Sequence, residues 1–302
     1  MSLLLPGLSA LMLLVASLPA LQAAPPTFLP VRETPRVEAS EVNEASGLAS
    51  SPTHPGWIWT LNDSGGKPFL HLLDANGGNR GKLRIHGAEN FDWEDLASFS
   101  RNGKSYLLIA DTGDNTTQRD FCTLFIVREP ALPSSDQRLD AQATPSWQIR
   151  FRYENGPRDC EAVAVDATRG IILLITKRTQ PPEIHQLPLT PSKNPSILTT
   201  RRVGNLLLNA PITSLIPFAS QPTGLDLSPD GSLAAVVTYH SVFIYPRTHG
   251  QDWATAFSKQ PVTLKRHRLA QAESVAFSSD GNEILTLSEG KRSRIVRYRR
   301  AR

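Results

Sequence analysis

Cysteine is nearly absent from this chain, with two in 302 residues, and long hydrophobic runs are absent after the first. No cysteine stands at the end of that opening run, which excludes a lipoprotein, and no later stretch is long enough to cross a bilayer, which excludes a multi-span membrane protein. The seven histidines lack the paired spacing that zinc requires. No serine sits in a nucleophile-elbow pattern; Ser64 and Ser241 fit none, which sets aside a Ser-His-Asp hydrolase. No row of aromatics interleaves the basic residues, so nucleic acid is not an expected partner. With 40% hydrophobic and 20% charged residues the composition is that of a folded domain, neither disordered nor collagenous.

The opening stretch from Leu3 to Leu21 is apolar and ends in small residues, with cleavage positions at Ala23 or Ala24. That layout is a secretory signal peptide, an uncleaved membrane anchor being the other reading. The expected organisation is a signal peptide over 1–23, a proline-rich linker over 24–36 and one domain over 37–302. The protein would be periplasmic or secreted, monomeric, and without a transmembrane segment after cleavage. Seven of its 32 Lys and Arg lie in the last twelve residues, KRSRIVRYRRAR, where no acid occurs. Without them, 25 cations face 28 acids, so the net charge of +4 belongs to the tail. The tail reads as a charged outer strand that resists edge pairing, or as a contact for anionic envelope lipid or polymer.

Proline (24) and glycine (19) are frequent and mark many turns between short strands. Five segments share one shape, beginning at Ser46, Glu94, Glu161, Thr223 and Glu273 and lying 48, 67, 62 and 50 residues apart. Each has a short strand, a polar turn at a glycine (Gly56, Gly103, Gly170, Gly231, Gly281) and a more apolar second strand. A third strand follows in all five and a fourth in the first four. The pattern predicts an all-β fold, a β-propeller of four-stranded antiparallel blades. Five blades are expected, with room for a degenerate sixth in the long intervals. An N-terminal strand, Val37–Val42, would close the ring, and a short helix is expected over Asp252 to Phe257.

Strand order gathers the starts of the first strands and the ends of the second at one mouth of the central channel. This places Glu94, Glu161 and Glu273 with Asn62, Asp63, Asp111, Lys177, Tyr239 and Glu289; Glu44, Asp92, Asp95, Asp114 and Asp159 stand nearby. Converging carboxylates demand a cation, raised pKa values or basic partners. Ca²⁺ suits oxygen donors from several loops. The expected metal set is Glu94, Asp111, Asp114, Asn115 and Glu161, with Asp111-Thr112-Gly113-Asp114-Asn115 as the leading loop; turn capping is its bland alternative. Arg119 and Lys177 would hold an anionic ligand or balance charge. Asn62, Asp63, Tyr239, Glu273 and Glu289 complete the ligand set. Glu94 and Glu161, with His240 as a base, are the candidate catalytic groups. Trp93 could line the mouth. Cys122 and Cys160 would face adjacent blades, either cross-linked or separately buried.

The turns Ser228-Pro229-Asp230-Gly231 and Ser279-Asp280-Gly281 resemble those of bacterial TolB-type propeller repeats. The phrases SGLA, NDSGG, DWEDLA, DTGDN and EAVAVD resemble an exported bacterial family within the broad class of calcium-dependent propellers, the SMP-30/gluconolactonase and esterase-like phytase groups. The resemblance covers most of the chain after residue 23. It implies an exported propeller whose acidic mouth holds calcium and a small anionic or polar ligand, with ester, lactone or phosphoester hydrolysis as one activity. The alternative it implies is a non-catalytic scaffold that presents its rim to an envelope protein, as TolB-like propellers do.

Overall fold

Each repeat begins as a hairpin made by local chemistry. In the fourth, Gly231 takes φ of +65° and the Asp230 carboxylate accepts from Ser228 Oγ and the Ser232 amide, which turns the chain back on itself. The computed structural model describes residues 26–134, 136–191, 196–208 and 219–301; the signal-peptide segment 1–23 lies outside the described residues.

The chain opens with β1 (Phe28–Pro30). Blade one follows as β2 (Ala45–Ser50), β3 (Trp57–Asn62), β4 (Phe69–Asp74) and β5 (Asn79–Ile85). Blade two holds β6 (Trp93–Arg101), β7 (Lys104–Asp111) and β8 (Cys122–Arg128); its chain then lends β9 (Leu139–Ala143) to blade one before returning as β10 (Trp147–Arg152). Blade three is β11 (Cys160–Asp166), β12 (Ile171–Thr176) and β13 (Glu183–Pro188), with β14 (Leu198–Thr199) lent to blade two, and then β15 (Arg201–Asn205). Blade four is β16 (Pro222–Leu227), β17 (Leu233–Thr238), β18 (Val242–Pro246), the short α1 (Trp253–Phe257) capped by Asp252, and β19 (Val262–Thr263). Blade five is β20 (Ala272–Phe277), β21 (Glu283–Ser288) and β22 (Val296–Arg300), completed by β1. The fold is a five-bladed β-propeller of four-stranded antiparallel blades; the lent strands β9 and β14 pair in parallel with β5 and β10.

The second strands are apolar on both faces because each blade is covered on both sides. Five hydrophobic wedges fill the spaces between neighbouring blades, one for each of the five pairs. The innermost strands β2, β6, β11, β16 and β20 pack in sequence and β20 returns to β2, closing the ring.

Closure differs from expectation. Val37, Ala39 and Val42 do not form the closing strand; they are buried in the wedge between blades five and one. The closing strand is β1, inside the segment read as a linker, paired antiparallel with β22 from Phe28↔Arg300 to Pro30↔Tyr298. Phe28 is 3% exposed and meets Phe277 edge-on at 6.3 Å, which fixes the clasp by packing as well as by pairing.

Candidate functional site

The same irregularity recurs in every innermost strand. Pairing with the second strand skips one residue near the start, between Ala45 and Gly47, Trp93 and Asp95, Cys160 and Ala162, Pro222 and Gly224, and Ala272 and Ser274. The skipped residues are Ser46, Glu94, Glu161, Thr223 and Glu273, all polar and all buried. A bulge re-aims a side chain out of the ladder, and here five of them build the upper end of the channel. Contacts then run from blade to blade: Ser46 Oγ donates to Glu94 O at 2.9 Å and to Glu94 Oε2 at 3.1 Å, and Thr223 Oγ1 donates to Ala272 O at 2.7 Å.

Two carboxylate trios meet at Glu94. Asp63, Asp92 and Glu94 form the upper one, and Glu94, Asp159 and Glu161 the lower; in each, one oxygen per residue lies within 4.8 Å of the others. Asp63 and Asp92 are partly exposed, whereas Glu94, Asp159 and Glu161 are buried, so the site is a narrow acid well. Burial drives the electrostatics. It pushes Glu94 well above the usual carboxylate range, with the Glu161, Asp63 and Asp92 charges adding to the shift. Burial and the Asp63 charge raise Asp92 to about 6, and burial raises Asp63 as well. Glu161 rises to about 8 by burial although Lys177 opposes it. Burial disfavours the charge on Lys177, but the Glu161 carboxylate outweighs it and holds the ammonium protonated. Lys177 bonds to Glu161 and stands 5.3 Å from the Tyr239 ring centre. Tyr239 donates to Glu273 Oε1 at 2.9 Å, and burial with the adjoining Glu289 lifts Glu273 to about 9. Glu161 Oε2 is buried without any hydrogen-bond partner.

Beneath the well the channel is plugged. Asp95 is fully buried, and its carboxylate accepts from Leu96 N at 2.8 Å, Val163 N at 2.8 Å and Leu225 N at 3.1 Å, joining blades two, three and four. Lower down, Asp226 accepts from Leu227 N and from Phe277 N of blade five. These inward-facing amides belong to innermost strands with no further strand to pair with, and two aspartates supply the acceptors.

Several expected site residues serve other ends. Asp111 is paired with Arg119 at 2.8 Å, and Asp114 caps a turn by accepting from Gln118 N and Arg119 N. Asn115 binds Arg178, which also holds Asp159 at 2.6 Å. The 111–115 loop is therefore a wall of the well and not its ligand set; a Cβ on Gly113 would overlap the carboxylates of Asp92 and Glu94. Arg119 also donates to Gly113 O and stacks on the exposed Phe91 at 4.6 Å. Asn62 clamps the chain before β2, accepting from Asn43 N and Glu44 N and donating to Glu41 O. His240 stands apart from the carboxylates: its Nδ1 meets Ser241 Oγ at 2.8 Å, and partial burial with nearby Arg266 lowers its pKa. The Trp93 side chain is buried in the wedge between blades one and two, and its Nε1 donates to Glu89 O. Cys122 and Cys160 are free thiols. Each Sγ turns to a backbone carbonyl, Thr112 O and Ala162 O respectively, so the cross-link does not form; burial pushes both thiols to about 12.

Asp92 and Asp159 were placed near the mouth but outside the metal set. Their signal was in the sequence: Asp92-Trp93-Glu94 and Asp159-Cys160-Glu161 repeat an Asp-x-Glu step in the same register of adjacent blades.

No protein-family model and no curated protein matches the chain. Among solved structures, a nidogen–laminin complex is similar at 13% identity, covering 82% of this chain and 77% of that one, with a TM-score of 0.44. A Bacteroides uniformis protein described as a 6-phosphogluconolactonase is similar at 13% identity, covering 83% of this chain and 66% of that one, with a TM-score of 0.41. Neither likeness bears on what this chain does. Among the described residues no helix is long and apolar enough to cross a membrane.

Proposed function

We propose that this propeller is an exported calcium protein whose acid well binds the ion through Asp63, Asp92 and Glu94 and offers it to a small anionic ligand. One observation carries the reading: three carboxylates converge within 4.8 Å, and none of the three has an ion-pair partner among the described residues. The donor set fits. Oxygens around one Ca²⁺ lie ~2.3–2.6 Å from it, so any two are within about 5 Å of each other. The lower trio is the poorer site, because Lys177 and Arg178 already occupy Glu161 and Asp159.

A bound divalent ion supplies Lewis-acid polarisation of a carbonyl or phosphoryl oxygen. The chain's own groups supply the rest. Lys177 offers its ammonium to an anionic substituent, and Glu273, protonated at neutral pH, carries a proton at the edge of the well. That equipment suits hydrolysis of an ester, lactone or phosphoester and accords with the SMP-30/gluconolactonase and esterase-like phytase resemblance.

Titration calorimetry with CaCl₂ on EDTA-stripped protein, paired with thermal melts, tests the proposal. Stoichiometric binding, a higher melting temperature with calcium, and loss of both in Asp63→Asn/Glu94→Gln are expected. A wild-type protein that neither binds calcium nor shifts its melt would overturn the reading and favour a scaffold of the envelope.

A further inference from the structure

The C-terminal cations have a natural explanation if β22 is an edge strand, since charge there blocks pairing with another chain. The structure removes that explanation. In blade five the strand order is β1-β22-β21-β20, so β22 is covered on both sides and β1 is the edge. Two further basic segments, distant in sequence, are brought alongside. The β1 segment supplies Arg32 and Arg36, the latter bridged to Arg294 and donating from Nη1 to Arg292 O. The loop before β20 supplies Lys265, Arg266 and Arg268; Arg294 Nη2 donates to Arg268 O, and Tyr298 donates to Lys265 O. With the six described cations of the C-terminal run, segments 28–36, 264–269 and 290–301 hold eleven Lys and Arg against one acid, Glu33.

Among the described residues only one of the eleven, Arg299, has a carboxylate partner, Glu283. Arg268 and Arg292 also hold positive φ, of 59° and 55°, a conformation unfavourable for a side chain of that size. Mutual repulsion and backbone strain are thus concentrated in one stripe that closing the ring does not require. One large apolar side chain stands among the charges: Leu29, 56% exposed, lies opposite Arg299 in register and shares its face.

We propose that the outer edge of blade five docks on an anionic lipid bilayer, with the cations against phosphate headgroups and Leu29 in the interface. Cations in a row beside an exposed leucine suit a flat, negatively charged surface with an apolar interior. The stripe is separate from the acid well, and the proposal stands whether or not the well binds calcium.

Vesicle co-sedimentation tests it, using phosphatidylcholine alone and phosphatidylcholine with one part in four phosphatidylglycerol. Wild-type protein is expected to bind the anionic vesicles at low salt, to ignore the neutral ones, and to release at about 1 M salt. Arg32→Gln/Lys265→Gln/Arg266→Gln/Lys291→Gln removes four side chains that have no bonded partner among the described residues. It is expected to lower binding at least about a hundredfold, from about fivefold per charge. Leu29→Ser should lower it about tenfold. Arg101→Gln/Lys104→Gln/Arg128→Gln/Lys259→Gln removes the same charge elsewhere and should leave binding unchanged, with all three variants melting as folded proteins. Equal binding to both kinds of vesicle, no binding to either, or equal loss in the two quadruple variants would overturn the proposal. Binding confined to an acidic protein would overturn it as well.

Discussion

Replacing Asp95 by alanine is the most direct probe of how the channel is held together. The side chain is fully buried and takes three backbone N–H donors, from Leu96, Val163 and Leu225. Asp95→Ala leaves all three without an acceptor, in a gap where the carboxylate stood. A buried donor left unpaired costs ~1–3 kcal/mol. Water entering from the well above can serve one of them, which gives ~2–6 kcal/mol for the substitution. At ~2–4 °C per kcal/mol for a domain of this size, the melting temperature should fall by roughly 10 °C. Asp226→Ala is the internal comparison: that residue is partly exposed and takes two donors, so its loss should cost only ~1–2 kcal/mol. Asp95→Asn, which keeps the shape and one acceptor, should fall between wild type and Asp95→Ala. Urea unfolding followed by tryptophan fluorescence, run beside thermal melts, measures all three. If Asp95→Ala proves no less stable than Asp226→Ala, the carboxylate is not the tie between blades two, three and four.

Three other outcomes are expected. Asp92, Glu161 and Glu273 titrate at about 6, 8 and 9 in the fold, whereas free carboxyls titrate at about 4. The folded protein therefore retains protons that the unfolded chain has lost, and calcium-free protein should lose stability as pH rises from about 4 to about 9. Calcium should oppose that loss and bind more tightly as pH rises; a calcium-free melting temperature that climbs over this window would contradict the sign. Gly113→Ala forces a methyl group onto Asp92 and Glu94, so calorimetry should find calcium binding lost together with some stability. Phe28→Ala should cost ~3–5 kcal/mol by opening the clasp, and limited proteolysis should then cut first near β1; unchanged digestion would refute a closing role.

The repeat made the architecture legible, because each blade restates the same sequence of strand, glycine turn and apolar strand. The closing strand was not legible. Phe28-Leu29-Pro30 is too short to show a period, and only its pairing with β22 gives it meaning. In the well, the register of the innermost strands brings Glu94 and Glu161 together, since a position repeated along a chain becomes a ring in space. The surroundings of the Asp111–Asn115 loop are less legible. Its closely spaced oxygens looked like a ligand set, but Arg119 and Arg178 approach from other positions and neutralise it. Asp95 shows the same limit. Its neighbour in sequence is a carboxylate of the well, but its role follows from two amides 68 and 130 residues away.

The clasp between β1 and β22 also sets a schedule. Among the described strands β1 comes first along the chain and its partner β22 comes last, so blade five remains one strand short until the two meet. The four preceding blades contain their own strands and can assemble in order, each stacking on the last as it emerges. The ring is thus an open arc until blade five docks, and Asp95 draws in its last amide, Leu225, only when blade four arrives. A chain halted before β22 would leave β1 without its partner and β21 as an unpaired strand edge, a sticky end of the kind on which quality control acts.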